Sequence, residues 1–360
     1  MSVVQSMFGK KNAKVSSDVL VKTFKGKDIL VTGGCGSIGT EIVKQLAKYH
    51  PKRIRVFDHN ESGLFNLQQE VKSFAIRILV GDIRDKERLR LAVRGCDYVF
   101  HAAALKHVPL CEYNPFEAVS TNVVGTQNLV TVCREEKVGK LVAISTDKAV
   151  NPINTMGATK LLSEKIVMTA DIGEGVRTKF SCVRFGNVLN SVGSVIPIFM
   201  RQIEAGGPVT VTDPDMERFF MSIHQAVHLV LRCAVLSRGG DIFVLDMKKI
   251  KIIDLAEVMI EMFASKFGHD PKSMRIKMIG VRPGEKLDEQ LVTEEEKNYL
   301  MHLKDMAVIR PARMLPYQED NSVFNPRQIS RPDYDMNKGV LLSKEEIRAT
   351  LIKILSESDC

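Results

Sequence analysis

The chain is 360 residues long, 44% hydrophobic and 6% aromatic, with no Trp. That is enough apolar material to bury a large core, and too few rings to furnish a stacking platform for single-stranded nucleic acid. The formal charge of +8 is spread along the chain. Diffuse positive charge favours anionic small ligands or plain solubility over a nucleic-acid footprint.

Residues 1–27 are polar and weakly patterned, and they read as a loosely held arm or docking segment. They carry Lys but no apolar signal-peptide core. No later stretch approaches the roughly 20 apolar residues of a membrane span. The seven cysteines show no Cys-x-x-Cys spacing, which reads as reduced thiols. A cytoplasmic protein with no membrane span is expected.

From Asp28 onward, short β-rich runs alternate with amphipathic helical stretches. Ile29–Thr32, Ile54–Phe57, Ile76–Val80, Tyr98–His101 and Leu141–Ser145 read as buried strands. Between the first two, Ile38, Ile42, Val43 and Leu46 share one helical face. The alternation predicts an α/β fold with a Rossmann-type, doubly wound parallel sheet over residues 28–185. After about residue 185 the segments shorten, broken by Gly206-Gly-Pro208, Asp213-Pro214 and Arg282-Pro-Gly284. Residues 186–360 read as a smaller C-terminal substrate lobe, interleaved with the first domain. Capping boxes at Thr293/Glu296 and Ser343/Glu346 mark late helix starts. The run Glu294-Glu-Glu296 then reads as a solvated first turn. His224 and His228, four apart on a helix, lack a third ligand, so no metal is expected.

The first strand runs into Gly33-Gly-Cys-Gly36-Ser37-Ile38-Gly39 and then a helix. Gly33, Gly36 and Gly39 leave room for a pyrophosphate to approach the backbone at the helix N-terminus. The second strand ends at Asp58, where a carboxylate bonds ribose hydroxyls and repels a 2′-phosphate. NAD is therefore favoured over NADP, although Arg53 and Arg55 lie just upstream. Asp82 and Ile83 follow the third strand, where Asp82 can meet an adenine amino group. Ala102, Ala103 and Ala104 close the fourth with small side chains that leave room for the cofactor.

The fifth strand delivers Ser145-Thr146-Asp147-Lys148 to its carboxyl edge, where ligands of open α/β sheets bind. Met156-Gly-Ala-Thr-Lys160 follows. This resembles the Tyr-x-x-x-Lys motif of the extended short-chain dehydrogenases, with Lys160 in place of the lysine that holds the nicotinamide ribose. Met156 stands where the phenol would, and a thioether cannot exchange protons usefully. Together with Ala103–Pro109, Asn151–Asn154, Arg184–Val188, Asp213–Arg218 and Arg282–Lys286, these words resemble the UDP-N-acetylglucosamine 4,6-dehydratases of polysaccharide and nonulosonic-acid biosynthesis, some of which carry Met at that place.

The resemblance implies a hydro-lyase that uses NAD to make a UDP-4-keto-6-deoxy-N-acetylhexosamine. Asp147 would be the acid and Lys148 the base, with Thr146 aligning O4 or relaying its proton. That chemistry requires the carboxyl pKa to rise and the amine pKa to fall. Asn187, Arg218, Arg282 and Glu285 match positions that hold the UDP-sugar, and Lys106 and His107 flank the site. A homo-oligomer follows from family habit. Retention at C5 is expected, because Lys148 alone could remove and return the proton. The rivals are an inverting dehydratase, a UDP-sugar epimerase and a catalytically silent NAD-binding sensor.

Overall fold

In the computed structural model, residues 15–172, 175–189, 191, 193–303, 305–310 and 335–358 are described. Six strands follow the expected alternation with helices: β1 (Asp28–Thr32), β2 (Arg53–Asp58), β3 (Ile76–Val80), β4 (Tyr98–His101), β5 (Lys140–Thr146) and β6 (Lys179–Phe185). They pair in parallel in the order β3-β2-β1-β4-β5-β6. The order reverses between β1 and β4, and their carboxyl ends open a crevice there. Every residue of β1 is buried, as a central parallel strand covered on both faces requires.

Among the described residues, nine further strands come from the second half: β7 (Asn187–Val188), β8 (Val209–Val211), β9 (Glu217–Met221), β10 (Asp241–Leu245), β11 (Lys248–Lys251), β12 (Ile276–Met278), β13 (Leu300–His302), β14 (Met306–Ile309) and β15 (Val340–Leu341). β10 extends the main sheet in parallel beside β6, and β14 and β13 finish that edge antiparallel. β15-β11-β9-β7 and β12-β8 form two small sheets. They pack with the helices Val195–Glu204 and Ile252–Phe263 around a second core that includes Phe199, Leu255 and Met259. The substrate lobe thus has its own core, while its chain returns to the first sheet.

Two expectations need revising. Of the loose arm and the docking segment that residues 1–27 suggested, Ser17–Phe24 is the second, a helix: Leu20 and Phe24 are fully buried, and the Phe24 ring lies 5.2 Å from that of Tyr98, edge to face. Two apolar side chains four apart suffice to seat it on the core. Residues 1–14 lie outside the described residues. Second, Glu296 is not a solvated charge. It forms the expected reciprocal cap with Thr293, but its carboxylate also takes the Arg184 guanidinium at 2.9 and 3.0 Å. Arg184 is fully buried and pairs with Glu164 from its other side, so a single long-range partner draws Glu296 inward.

His101, the last residue of β4, is buried between two threonines. Its Nδ1 lies 2.8 Å from Thr32 Oγ1, and its Nε2 lies 3.0 Å from Thr126 Oγ1. The Thr126 hydroxyl gives its own proton to the Asn122 carbonyl, so Nε2 donates and Nδ1 accepts. Burial, with a smaller contribution from the Lys160 charge, pushes the His101 pKa down to about 3, so the ring is neutral. Among the described residues, no helix is long and apolar enough to cross a membrane.

Candidate active site

A cleft of about 950 Å³ runs along the carboxyl edge of the main sheet and under the small sheets. One end is built by the first strand–turn–helix unit. Gly33 sits at φ +65°, and a Cβ there would lie 2.5 Å from the Ala103 backbone nitrogen. A Cβ on Gly39 would lie 2.1 Å from the Gly33 carbonyl oxygen. Only glycine lets the turn, the helix and the Ala102–Ala104 segment close up this far. Gly36, with no side chain to cap it, precedes the helix Ser37–Ala47, and Ser37 and Ile38 of the first turn line the cleft.

Asp58 ends β2 at the rim, accepting the N–H groups of Cys35 at 3.3 Å and Asn60 at 3.0 Å. Arg53 and Arg55 face away, occupied by Asp28 and by the Ala92 and Arg94 carbonyls. Asp82 and Ile83 line the same end. There the Arg84 fork, bonded to Asp82, holds that carboxyl below its usual range. Arg84 was not read from the sequence. It lines the cleft and also reaches Glu117 at 2.9 Å. A close-approach turn, an exposed helix N-terminus and a rim carboxylate fit a dinucleotide such as NAD.

At the other end, Thr146 finishes β5 and starts a single helical turn that carries Asp147 and Lys148. The Thr146 hydroxyl donates to Asp147 Oδ1 at 2.8 Å. Lys148 Nζ lies 3.0 Å from Asp147 Oδ1, 3.2 Å from Asn187 Oδ1 and 3.4 Å from Glu289 Oε1. Thr146, Lys148 and Asn187 line the cleft, but Asp147 is wholly buried behind them. Asp147 and Glu289 each keep one buried oxygen without a hydrogen-bond partner among the described residues.

The pKa expectation for Lys148 is reversed. Burial pulls it down, but the Asp147 and Glu289 carboxylates outweigh burial and raise it above the ordinary lysine value. Asp147 contributes the larger part and Glu289 the next, and Glu289 arrives from a distant segment that nothing near Lys148 in sequence announces. The Lys160 amine is lowered by desolvation, its Nζ donating to the Ile144 carbonyl at 2.6 Å. Met156 is buried against Val108, Cys111 and Ala118, with one side on the cleft.

The remaining candidates divide. Lys106 and His107 line the cleft, and burial lowers both pKa values, with Lys106 adding to the effect on His107. Arg282 and Glu285 lie on the rim and face each other at 4.0 Å. Arg218 lines the cleft, yet it is buried and spends three N–H bonds on the Glu217, Leu287 and Lys286 carbonyls. It therefore staples the segment that carries Glu285 and Glu289. His224 bonds Glu41 and Gln45 on the outer helices, away from the cleft.

Residues 29–311 match the family described as polysaccharide biosynthesis protein. An uncharacterized membrane protein of Methanocaldococcus jannaschii is 54% identical over 92% of this chain and 97% of its own. A UDP-N-acetylglucosamine 4,6-dehydratase (inverting) of Campylobacter jejuni is 40% identical over 84% of this chain and 88% of its own. A UDP-glucose 4-epimerase of Rickettsia akari is 40% identical over 76% and 80%. The chain spans about half the length of the capsular polysaccharide biosynthesis protein CapD of Staphylococcus aureus, at 49%. Among solved structures, Pen from Bacillus thuringiensis superposes with a TM-score of 0.81 at 40% identity, covering 92% of this chain and 98% of that one.

Proposed function

The chain belongs to the polysaccharide biosynthesis protein family, and from that premise we propose that it is a UDP-N-acetylglucosamine 4,6-dehydratase that uses NAD. The observation that carries this reading is the Thr146–Asp147–Lys148 turn at the end of β5, a proton relay and an amine set side by side at the cleft. Epimerisation at C4 calls for neither an acid for a leaving hydroxyl nor a base for a C5 proton.

NAD, when bound, supplies the acceptor and later the donor of the C4 hydride. Gly33, Gly36, Ser37, Ile38 and Gly39 would hold its pyrophosphate, Asp58 its ribose, and Lys160 the ribose near the reacting carbon. Arg282, Glu285 and Asn187 would orient the UDP-sugar, with Lys106 and His107 closing the site.

Thr146 takes the O4 proton and passes its own to Asp147, which stands in for the absent phenol. Lys148, as the free amine, removes the C5 proton. Asp147, buried behind the cleft wall, returns the stored proton through the Thr146 hydroxyl, which delivers it to the C6 hydroxyl as that leaves as water. Lys148 then returns its proton to C5 from the same face, giving the retained gluco product. The balance is one water lost, with C4 oxidised and C6 reduced.

A C4-epimerase is the second reading, favoured by the similarity to the Rickettsia protein. Incubating the pure protein with UDP-N-acetylglucosamine and NAD separates them. Mass spectrometry showing loss of one water is expected, and a C4 epimer of unchanged mass refutes dehydration. Proton NMR of the fresh mixture then tests retention, which an early L-arabino product rules out.

A further inference from the structure

Lys148 rests as an ammonium among carboxylates, yet the proposed reaction needs it as an amine. One ion pair would satisfy it. The structure supplies two carboxylates, Asp147 from its own turn and Glu289 from a segment far along the chain. Glu289 is 3% exposed, a costly place for a charge with no task.

Nor is Glu289 needed to pin its own segment. Lys286 Nζ donates to the Val150 carbonyl at 2.8 Å, and Arg218 holds the Leu287 carbonyl at 2.9 Å. Lys249 Nζ takes Asp288 at 2.7 Å, and Arg184 takes the Leu291 carbonyl at 2.8 Å. With backbone or side chain fixed on both sides, the Glu289 carboxylate is delivered to Lys148, and its second oxygen is buried without a hydrogen-bond partner among the described residues.

We propose that Glu289 is the positioning residue that takes and returns the Lys148 ammonium proton during each turnover. The inference rests on the dehydratase reading. Asp147 cannot serve this purpose, because it is filled by the O4 proton that Thr146 relays. The Lys148 N–H bond breaks and a Glu289 O–H bond forms, leaving a neutral amine and a neutral acid. The amine then takes the C5 proton, returns it, and recovers its own proton from Glu289, so no proton is gained or lost. Besides the two carboxylates, Lys148 faces the Arg218 cation, which opposes the ammonium, and the neutral Asn187 amide.

The test compares Glu289→Gln and Glu289→Asp with the wild type across pH. The amide cannot take the proton, so kcat of Glu289→Gln should fall about 100-fold at neutral pH. KM for the sugar nucleotide should hold within about threefold, and the rate should recover toward alkaline pH as Lys148 deprotonates without help. A wild-type kcat, or an equal loss at every pH, overturns the proposal. Glu289→Asp, which keeps a carboxylate set back by one methylene, should keep the wild-type pH dependence at a rate about tenfold lower. Should Glu289→Gln fail to fold, this variant decides, and an unchanged kcat or a Gln-like pH dependence overturns the proposal. If the wild type releases no water from the substrate, the dehydratase reading itself falls. The coupling is then read by NMR titration of labelled lysine. A lower Lys148 midpoint in Glu289→Gln supports it, and an unmoved midpoint refutes it.

Discussion

At the proposed cofactor end of the cleft, one strand–turn–helix–strand unit supplies the glycines, the helix N-terminus and Asp58. At the proposed reacting end, Lys148 meets Asn187 from β7 and Glu289 from a loop in the last quarter of the chain. The first end works by leaving atoms out, so that backbone can approach backbone. The second works by burying charge, and buried charge needs partners fetched from wherever the fold can bring them. A site of the first kind is written locally. A site of the second kind exists only once the whole chain is folded.

The sharpest way to break this comparison is Lys148→Ala. Dehydration should fall roughly 10²–10⁴-fold while NAD affinity, measured by calorimetry, stays unchanged. Equal loss at both ends would mean that they are not separable. Retained solvent-deuterium exchange at C5 in this variant would remove Lys148 from the role of base.

The reverse experiment is Gly33→Ala. Its Cβ would meet the Ala103 backbone at 2.5 Å from a left-handed conformation. Strain of about 1–3 kcal/mol, before the clash is counted, should weaken NAD and lower the melting temperature. Wild-type NAD affinity would show that the turn is not the pyrophosphate cradle. Asp58→Ala is a milder probe of the same end. It should cost NAD about 1.5–3 kcal/mol and narrow the preference against NADP. A wild type that prefers NADP contradicts the reading of β2.

The last probe leaves activity aside and concerns His101, on the strand between the two ends. Its pKa is about 3 in the folded state, against 6.5 as the ordinary value. The unfolded chain therefore takes up a proton that the folded one refuses. Its stabilisation is fully present above pH 6.5 and is lost as pH falls toward 3. The slope should approach about 1.4 kcal/mol per pH unit in urea melts. His101→Gln should flatten this slope, and an unchanged slope would assign the pH dependence elsewhere.

The sheet was legible because alternating strands and helices write their periodicity into neighbouring residues, and β1 to β5 fall where that pattern puts them. Gly33, Asp58 and Lys160 were legible for the same reason, each standing at a fixed offset from a strand or helix. Glu289, Arg84 and the pairing of Glu296 with Arg184 were not. Glu289 and Glu296 have partners far along the chain, and Arg84, though it bonds nearby Asp82, also reaches Glu117 across the fold; a charged residue at the surface reads the same as one drawn inside. The Ser17–Phe24 helix was missed because two buried side chains are too few to stand out as a period.

The order in which these strands enter the sheet also bears on how the molecule is made. β1 to β6 are contiguous, so the parallel core can assemble while the ribosome is still translating the rest. Glu289 emerges about 140 residues after Lys148, a delay of roughly 7–28 s at ordinary elongation rates. Until then the nascent protein holds an early-formed version of the proposed cofactor cradle beside an unfinished version of the proposed reacting centre. Its lysine has one carboxylate, and the cleft has no rim from Arg282 and Glu285. A ribosome-arrested chain ending near residue 280 should therefore bind dinucleotide without turning over sugar, a natural dissection of the two ends in time.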